Sequence, residues 1–197
     1  EMFTESFGKQ VHDWCQAHHL EFTGHMMSED SLMSQIGATS GVMQFYPYFD
    51  MPGMDFLGRR INSPIQPKQV GSVAEQLGRR ALTETFALCG WDVSWEELKW
   101  IAEWQYVNGI NVTCQHLAPY SLRGLRKRDY PPALSIQESW FPVYKHFNDY
   151  FSRLGAALSE GHADVRVLML HPIHSAYVLT QLDRSRLADL DEAFLAA

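Results

Sequence analysis

The sequence predicts an α/β fold of alternating βα units with parallel strands, and three observations carry that expectation. Short apolar or β-branched runs recur along the chain, bounded by glycine or proline. Segments of helical period separate them, and no two runs read as a hairpin. Such a rhythm implies a parallel sheet with right-handed crossovers.

Strands are expected at 20–23, 41–48, 80–84, 110–115 and 165–170. Between them Phe7, Val11, Trp14 and Cys15 form one helical stripe, and Leu98, Ile101, Ala102 and Gln105 part of another. The longest stripe is Val143, Phe147, Tyr150, Phe151, Leu154 and Leu158. Ser94 with Glu97 reads as a capping box, and Asn108-Gly109 closes the helix that it opens. Ser139 is expected to cap the long helix with Pro142 in its first turn, and Gly161 to end it. A (β/α)8 barrel takes about 250 residues. The 197 residues here therefore leave an open doubly wound sheet or part of a barrel. Loops 50–66 and 116–136 are long and polar, which is where βα loops carry function. The one domain boundary falls near 161–164, separating 1–163 from 164–197.

Charge and composition narrow the partners. A formal charge of -7 offers no general attraction to a phosphate backbone, so nucleic acid is not an expected partner. No apolar run approaches the roughly 20 residues of a membrane span, and residues 1–5 lack the pattern of a signal peptide. Cys15, Cys89 and Cys114 are odd in number and far apart, which suits a reducing cytoplasm and neither a disulfide framework nor a thiolate zinc site. Aromatic residues make up 13%, more than a plain core requires, so some rings either thicken the packing or form flat platforms for sugars.

In parallel architectures ligands bind at the carboxyl ends of the strands. The residues expected there are His25, the run from Tyr46 to Asp50, Glu84, Gln115, His116 and His171. Glu84 stands out, because an unpaired carboxylate ending an apolar strand costs several kcal/mol. It is either salt-bridged to Arg59, Arg79 or Arg80, or a nucleophile or general base. Glycosidic chemistry needs a second carboxyl group. Glu29, Asp50 and Asp55 are the candidates, with a helix N-terminus for Glu29 and turn formation for the two aspartates as the structural alternatives. His12, Cys15 and His18 share a helix face but lack further ligands, and no metal or cofactor site is expected. No G-x-S-x-G elbow or glycine-rich phosphate loop occurs.

Several segments together resemble a known family. They are Phe22-Thr23-Gly24-His25 with Glu29, Tyr46 through Pro52-Gly53-Met54-Asp55, Ser72-Val73-Ala74 with Gly78, Leu82-Thr83-Glu84-Thr85-Phe86, Gly90-Trp91 and Gly109-Ile110-Asn111. Between about Phe7 and Leu170 the chain is similar to the C-terminal half of the catalytic (β/α)8 barrel of large bacterial glycoside hydrolases, most like the α-L-rhamnosidase-like enzymes of family 106, with kinship to barrel β-galactosidases. The resemblance implies a partial barrel over 1–163, with the later βα units, and the start of a following α/β domain over 164–197. It carries a catalytic carboxylate onto Glu84, with Glu29 as the substitute for an acid whose strand has no counterpart here. The sugar site would be lined by His25, Tyr46, Asp50, Asp55, Trp91, Gln115 and His116. The implied activity is hydrolysis of an α-L-rhamnoside or β-galactoside, in a fragment of a longer enzyme. The rival expectation is a non-catalytic carbohydrate-binding or interaction module on the same scaffold. Because an incomplete barrel exposes apolar sheet edges, self-association or association with the missing part of the parent chain is expected beside the carbohydrate.

Overall fold

The computed structural model describes residues 2–61 and 63–196. Four strands lie parallel in sequence order, β1 (Thr23–His25), β2 (Met51–Phe56), β3 (Leu82–Thr85) and β4 (Val112–Gln115). Seven α-helices accompany them among the described residues: α1 (Gln10–Ala17), α2 (Leu32–Ala38), α3 (Ile65–Leu77), α4 (Trp95–Val107), α5 (Tyr144–Ser159), α6 (Ile173–Leu182) and α7 (Arg184–Leu195). A π-helical segment, Thr4–Lys9, runs directly into α1. Among the described residues no helix is long and apolar enough to cross a membrane.

The α/β alternation holds, and three of the expected strands move or vanish. The run 41–48 is not a strand; it folds into turns ending in a 3-10 helix at Tyr46–Tyr48. Its apolar residues Val42, Phe45 and Tyr46 are buried in the core without needing a strand. The strand in this region is β2, within the stretch expected to be loop, because Pro52 and Gly53 read as breakers. The first strand is displaced from 20–23 to Thr23–His25. The run 165–170 forms no strand, because it has no neighbouring strand to pair with; Val167, Leu168 and Leu170 are more than 80% exposed. Ser139 does not cap the long helix, since Pro142 lies in a 3-10 turn at Phe141–Val143 and α5 begins only at Tyr144. The Ser94–Glu97 capping box forms as expected.

Strand alternation divides the sheet into two unlike faces. Met54, Phe56, Thr83 and Thr85 point to one face, where they are buried. There they join a core with Val70, Val73 and Ala74 of α3, Leu98, Ile101 and Ala102 of α4, and Phe147 and Phe151 of α5. Gln105 of α4 donates to the Thr85 hydroxyl at 3.0 Å, satisfying the buried polar pair between helix and sheet. Close approach at the β4 side depends on Gly155 of α5, where a Cβ would lie 2.4 Å from the Asn111 carbonyl oxygen. The other face carries Thr23, His25, Met51, Asp55, Leu82, Glu84, Val112 and Cys114, none of them buried. A parallel sheet normally has both faces covered.

A smaller core joins the C-terminal helices to the rest. Leu32 of α2 and Ile65 of α3 pack against Ala176, Leu187 and Phe194 of α6 and α7. Asp191 of α7 accepts hydrogen bonds from the Leu32 and Met33 backbone N–H groups at 2.7 and 3.3 Å, capping α2 from a distance.

Candidate active site

Register places the chemistry. Asp55 of β2, Glu84 of β3 and Cys114 of β4 are direct neighbours across the sheet. Having the same alternation, they share the uncovered face, near the carboxyl ends of their strands. His25 ends β1 and pairs with Gly53, two residues before Asp55. Its Nε2 lies 2.9 Å from Glu84 Oε2, so the imidazole spans β2 to reach the carboxylate. Gly53 permits this tight packing: a Cβ there would meet the Gly24 carbonyl oxygen at 2.7 Å and a Leu82 methyl at 2.9 Å. Directly after β3, Phe86 is fully buried with φ of +80°, a conformation rare for a bulky residue, and it turns the chain away at the strand end.

The proton inventory is constrained. His25 Nδ1 lies 2.7 Å from the Met26 carbonyl oxygen, which can only accept, so Nδ1 carries a proton. The Nε2 contact with Glu84 then requires one further proton between imidazole and carboxyl. Burial pulls the His25 pKa down, but the Met26 hydrogen bond, the charges of Asp55 and Glu29 and the Glu84 hydrogen bond together raise it above its ordinary value. The Asp55 pKa is also raised, by burial and by the Glu84 charge, against the opposing pull of His25 and His116. Asp55 Oδ1 is buried without a hydrogen-bond partner among the described residues. Single ligand atoms of His25, Asp55 and Glu84 all lie within 4.8 Å of one another, so the same three side chains are spaced to hold a cation. An imidazole with two carboxylates is a donor set suited to divalent ions.

Glu29 lies beneath this group and is 1% exposed. It accepts from the Met26 N–H at 3.1 Å, the Tyr46 hydroxyl at 2.8 Å and the Asp55 N–H at 2.7 Å. Burial lifts its pKa to about 7, against the lowering effect of those three donors. The Glu29 backbone carbonyl in turn accepts from Gln35 and Gln69, and His171 lies 2.9 Å from Gln69 Oε1. Glu29 and Tyr46 are thus buried supports of β1 and β2, and the structure does not bring either to the exposed face.

The remaining expected residues divide by position. Asp50 precedes β2 and sits at the opposite, amino end of the sheet, held by Gln16 and by the Phe22 N–H at 2.9 and 2.8 Å. Gln115 donates to Asn148 and lines a groove of about 600 Å³ between β4 and α5. His116 follows β4 on the same rim as Glu84, its ring 6.1 Å from that of Tyr130. Trp91 lines a separate cavity in loop 116–136. None of the three arginines pairs with Glu84: Arg59 binds Asp92 and Glu97, Arg79 binds the Pro47 and Phe49 carbonyls, and Arg80 lines the β4–α5 groove. Sequence reasoning missed Cys114 as a neighbour of Glu84. Counting alternate positions back from His116 would have put it on the same face.

No family model and no curated protein sequence matches the chain. Among solved structures, a rhamnosidase from Novosphingobium sp. PP1Y is similar, with a TM-score of 0.67 and 17% identity over 82% of this chain. The match spans 16% of the length of that enzyme. At this identity the likeness concerns the fold.

Proposed function

We propose that the chain is part of the catalytic domain of a glycoside hydrolase, with Glu84 and Asp55 as its carboxyl pair. The observation that carries this reading is their placement in register on adjacent strands, with an oxygen of each and a His25 ring nitrogen within 4.8 Å of one another. The rhamnosidase-like fold supports it. Four parallel strands with one uncovered face are read as an arc of a (β/α)8 barrel, whose inner face the rest of a longer polypeptide or a second copy covers. An α-L-rhamnoside or β-galactoside is the substrate class.

The two carboxyls divide the work by environment, as paired catalytic acids do. Asp55, with its raised pKa, protonates the departing glycosidic oxygen. Glu84, oriented by the His25 imidazole, is the partner that attacks the anomeric carbon. A retaining course, with carboxyls about 5–5.5 Å apart, has Glu84 attack covalently, whereas an inverting one holds them roughly 6.5–9.5 Å apart to admit water. Glu29 replaces neither; it holds the Asp55 backbone.

On aryl α-L-rhamnosides and aryl β-D-galactosides, Glu84→Gln is expected to lower kcat at least about 100-fold. Asp55→Asn is expected to spare substrates with activated phenol leaving groups and to impair those with poor ones, because only the latter need the acid. Unchanged turnover in Glu84→Gln removes that residue from the mechanism. The uncovered sheet face favours a second reading for the chain alone, a module that binds sugar without turning it over.

A further inference from the structure

Loop 116–136 builds a second concave site on the rim that holds Glu84. The cavity has a volume of about 250 Å³ and is lined by Trp91, Leu117, Tyr120, Arg126, Asp129 and a floor that includes Pro131 and Pro132. Its position is fixed from both neighbouring strands. The Gly90 N–H donates to the Pro131 carbonyl and the Leu134 N–H to the Leu117 carbonyl, both at 2.9 Å. Leu117 directly follows His116, which leaves the carboxyl end of β4.

The lining has two chemistries. Trp91 is 41% exposed, and its indole Nε1 donates to the Lys127 carbonyl at 3.0 Å, which sets the ring plane without covering it. Tyr120 is fully exposed beside it. An indole and a phenol left in water at one cavity offer flat apolar surface whose burial favours association. Arg126 and Asp129 are exposed, and neither side chain has a hydrogen-bond or ion-pair partner among the described residues. They offer several donors and two acceptor oxygens at the same opening. A ring with an apolar C–H face and adjacent hydroxyls satisfies both parts at once. The volume is below the roughly 300–1,000 Å³ of sites for drug-sized ligands, which suits one such ring.

We propose that this cavity is a sugar subsite that takes one pyranose ring on the leaving-group side of the carboxyl pair. The ring stacks on Trp91, and its hydroxyls bind Arg126 and Asp129. This deepens the glycosidase reading and rests on it only for the words leaving-group side.

Saturation-transfer NMR on the chain with methyl α-L-rhamnopyranoside and methyl β-D-galactopyranoside tests it. Transfer to ring protons of at least one glycoside is expected in the wild type. Trp91→Ala and Asp129→Ala should each weaken it at least about fivefold, and Trp91→Phe should restore most of it. Trp91 and Asp129 are surface residues, and an unchanged thermal transition establishes that each variant is folded. Absence of transfer in the wild type, or transfer indifferent to Trp91→Ala, overturns the subsite. Transfer that depends on Trp91 but not on Asp129 overturns the assignment of ring hydroxyls to Asp129. Transfer lost in Glu84→Gln but kept in Trp91→Ala puts the sugar at the carboxyl pair alone, which overturns the subsite and leaves the catalytic reading standing. Undiminished turnover in Glu84→Gln with Trp91-dependent transfer sinks the catalytic reading and keeps the subsite.

Discussion

Glu29 is the residue whose burial has the clearest consequence for the whole fold. Its carboxyl titrates near pH 7 in the folded chain and near its ordinary value of 4.5 when unfolded. A raised carboxyl favours folding when protonated, so its contribution is complete below pH 4.5 and lost as pH rises through 7. The ceiling on that loss is about 3 kcal/mol. Asp55 and His25, both raised, act in the same direction. His171 opposes them: burial lowers it to about 4 from 6.5, so its contribution is lost as pH falls through that range. Between pH 4.5 and 6.5 Glu29 and His171 therefore work against each other. Glu29→Gln should lower stability overall, through a poorer match to its three donors, yet make stability rise more steeply with pH across this window. Urea unfolding at pH 5 and pH 6.5 measures the slope, and identical slopes in wild type and variant would show that Glu29 is already ionised throughout.

At the level of elements, helix ends show what a local pattern can and cannot specify. The Ser94–Glu97 box at the start of α4 is complete within four residues and is legible in the sequence. The N-terminus of α2 has Ser31 as a local cap, and its first two N–H groups are also held by Asp191, 159 and 158 residues away. Asp191 is 6% exposed, so truncating it leaves buried donors without a partner. Asp191→Ala should cost about 1–3 kcal/mol, and Asp191→Asn less because one acceptor remains. Thermal unfolding checks both; a negligible shift for alanine would mean that water replaces the carboxylate. The same distinction explains β2: Pro52 and Gly53 look like breakers along the chain, but pairing with β1 and β3 holds them in a strand.

Across the whole molecule, two of the exposed apolar stretches bear on association. One is the uncovered sheet face with Met51, Leu82 and Val112; the other is the 165–170 run, where Val165, Val167, Leu168 and Leu170 are 75% or more exposed. The continuous apolar stretch 167–170 suits a strand buried on both sides, and exposed as it is here it is an aggregation hazard. Val167→Lys with Leu168→Lys should therefore reduce sedimentable aggregate while moving the thermal midpoint little, since surface substitutions usually stay within about 0.5 kcal/mol. A large drop in the midpoint would show that the run packs against something in the folded chain.

The α/β alternation, the position of α4 and the prominence of Glu84 follow from the sequence alone, because periodicity, caps and an ionisable group ending an apolar strand are properties of neighbouring residues. His25 and Asp55 were legible as polar residues near strand ends, but not their meeting with Glu84. That meeting depends on the register of three strands that are 26 or more residues apart in the chain. Whether Glu29, Tyr46 and Asp50 face substrate was equally a tertiary question. Four residues separate Asp50 from Asp55, and β2, which begins directly after Asp50, puts one at the amino end of the sheet and the other near the carboxyl end. Burial assigns Glu29 and Tyr46 to support, because a carboxylate and a hydroxyl that satisfy each other inside the core have no surface left to offer a ligand.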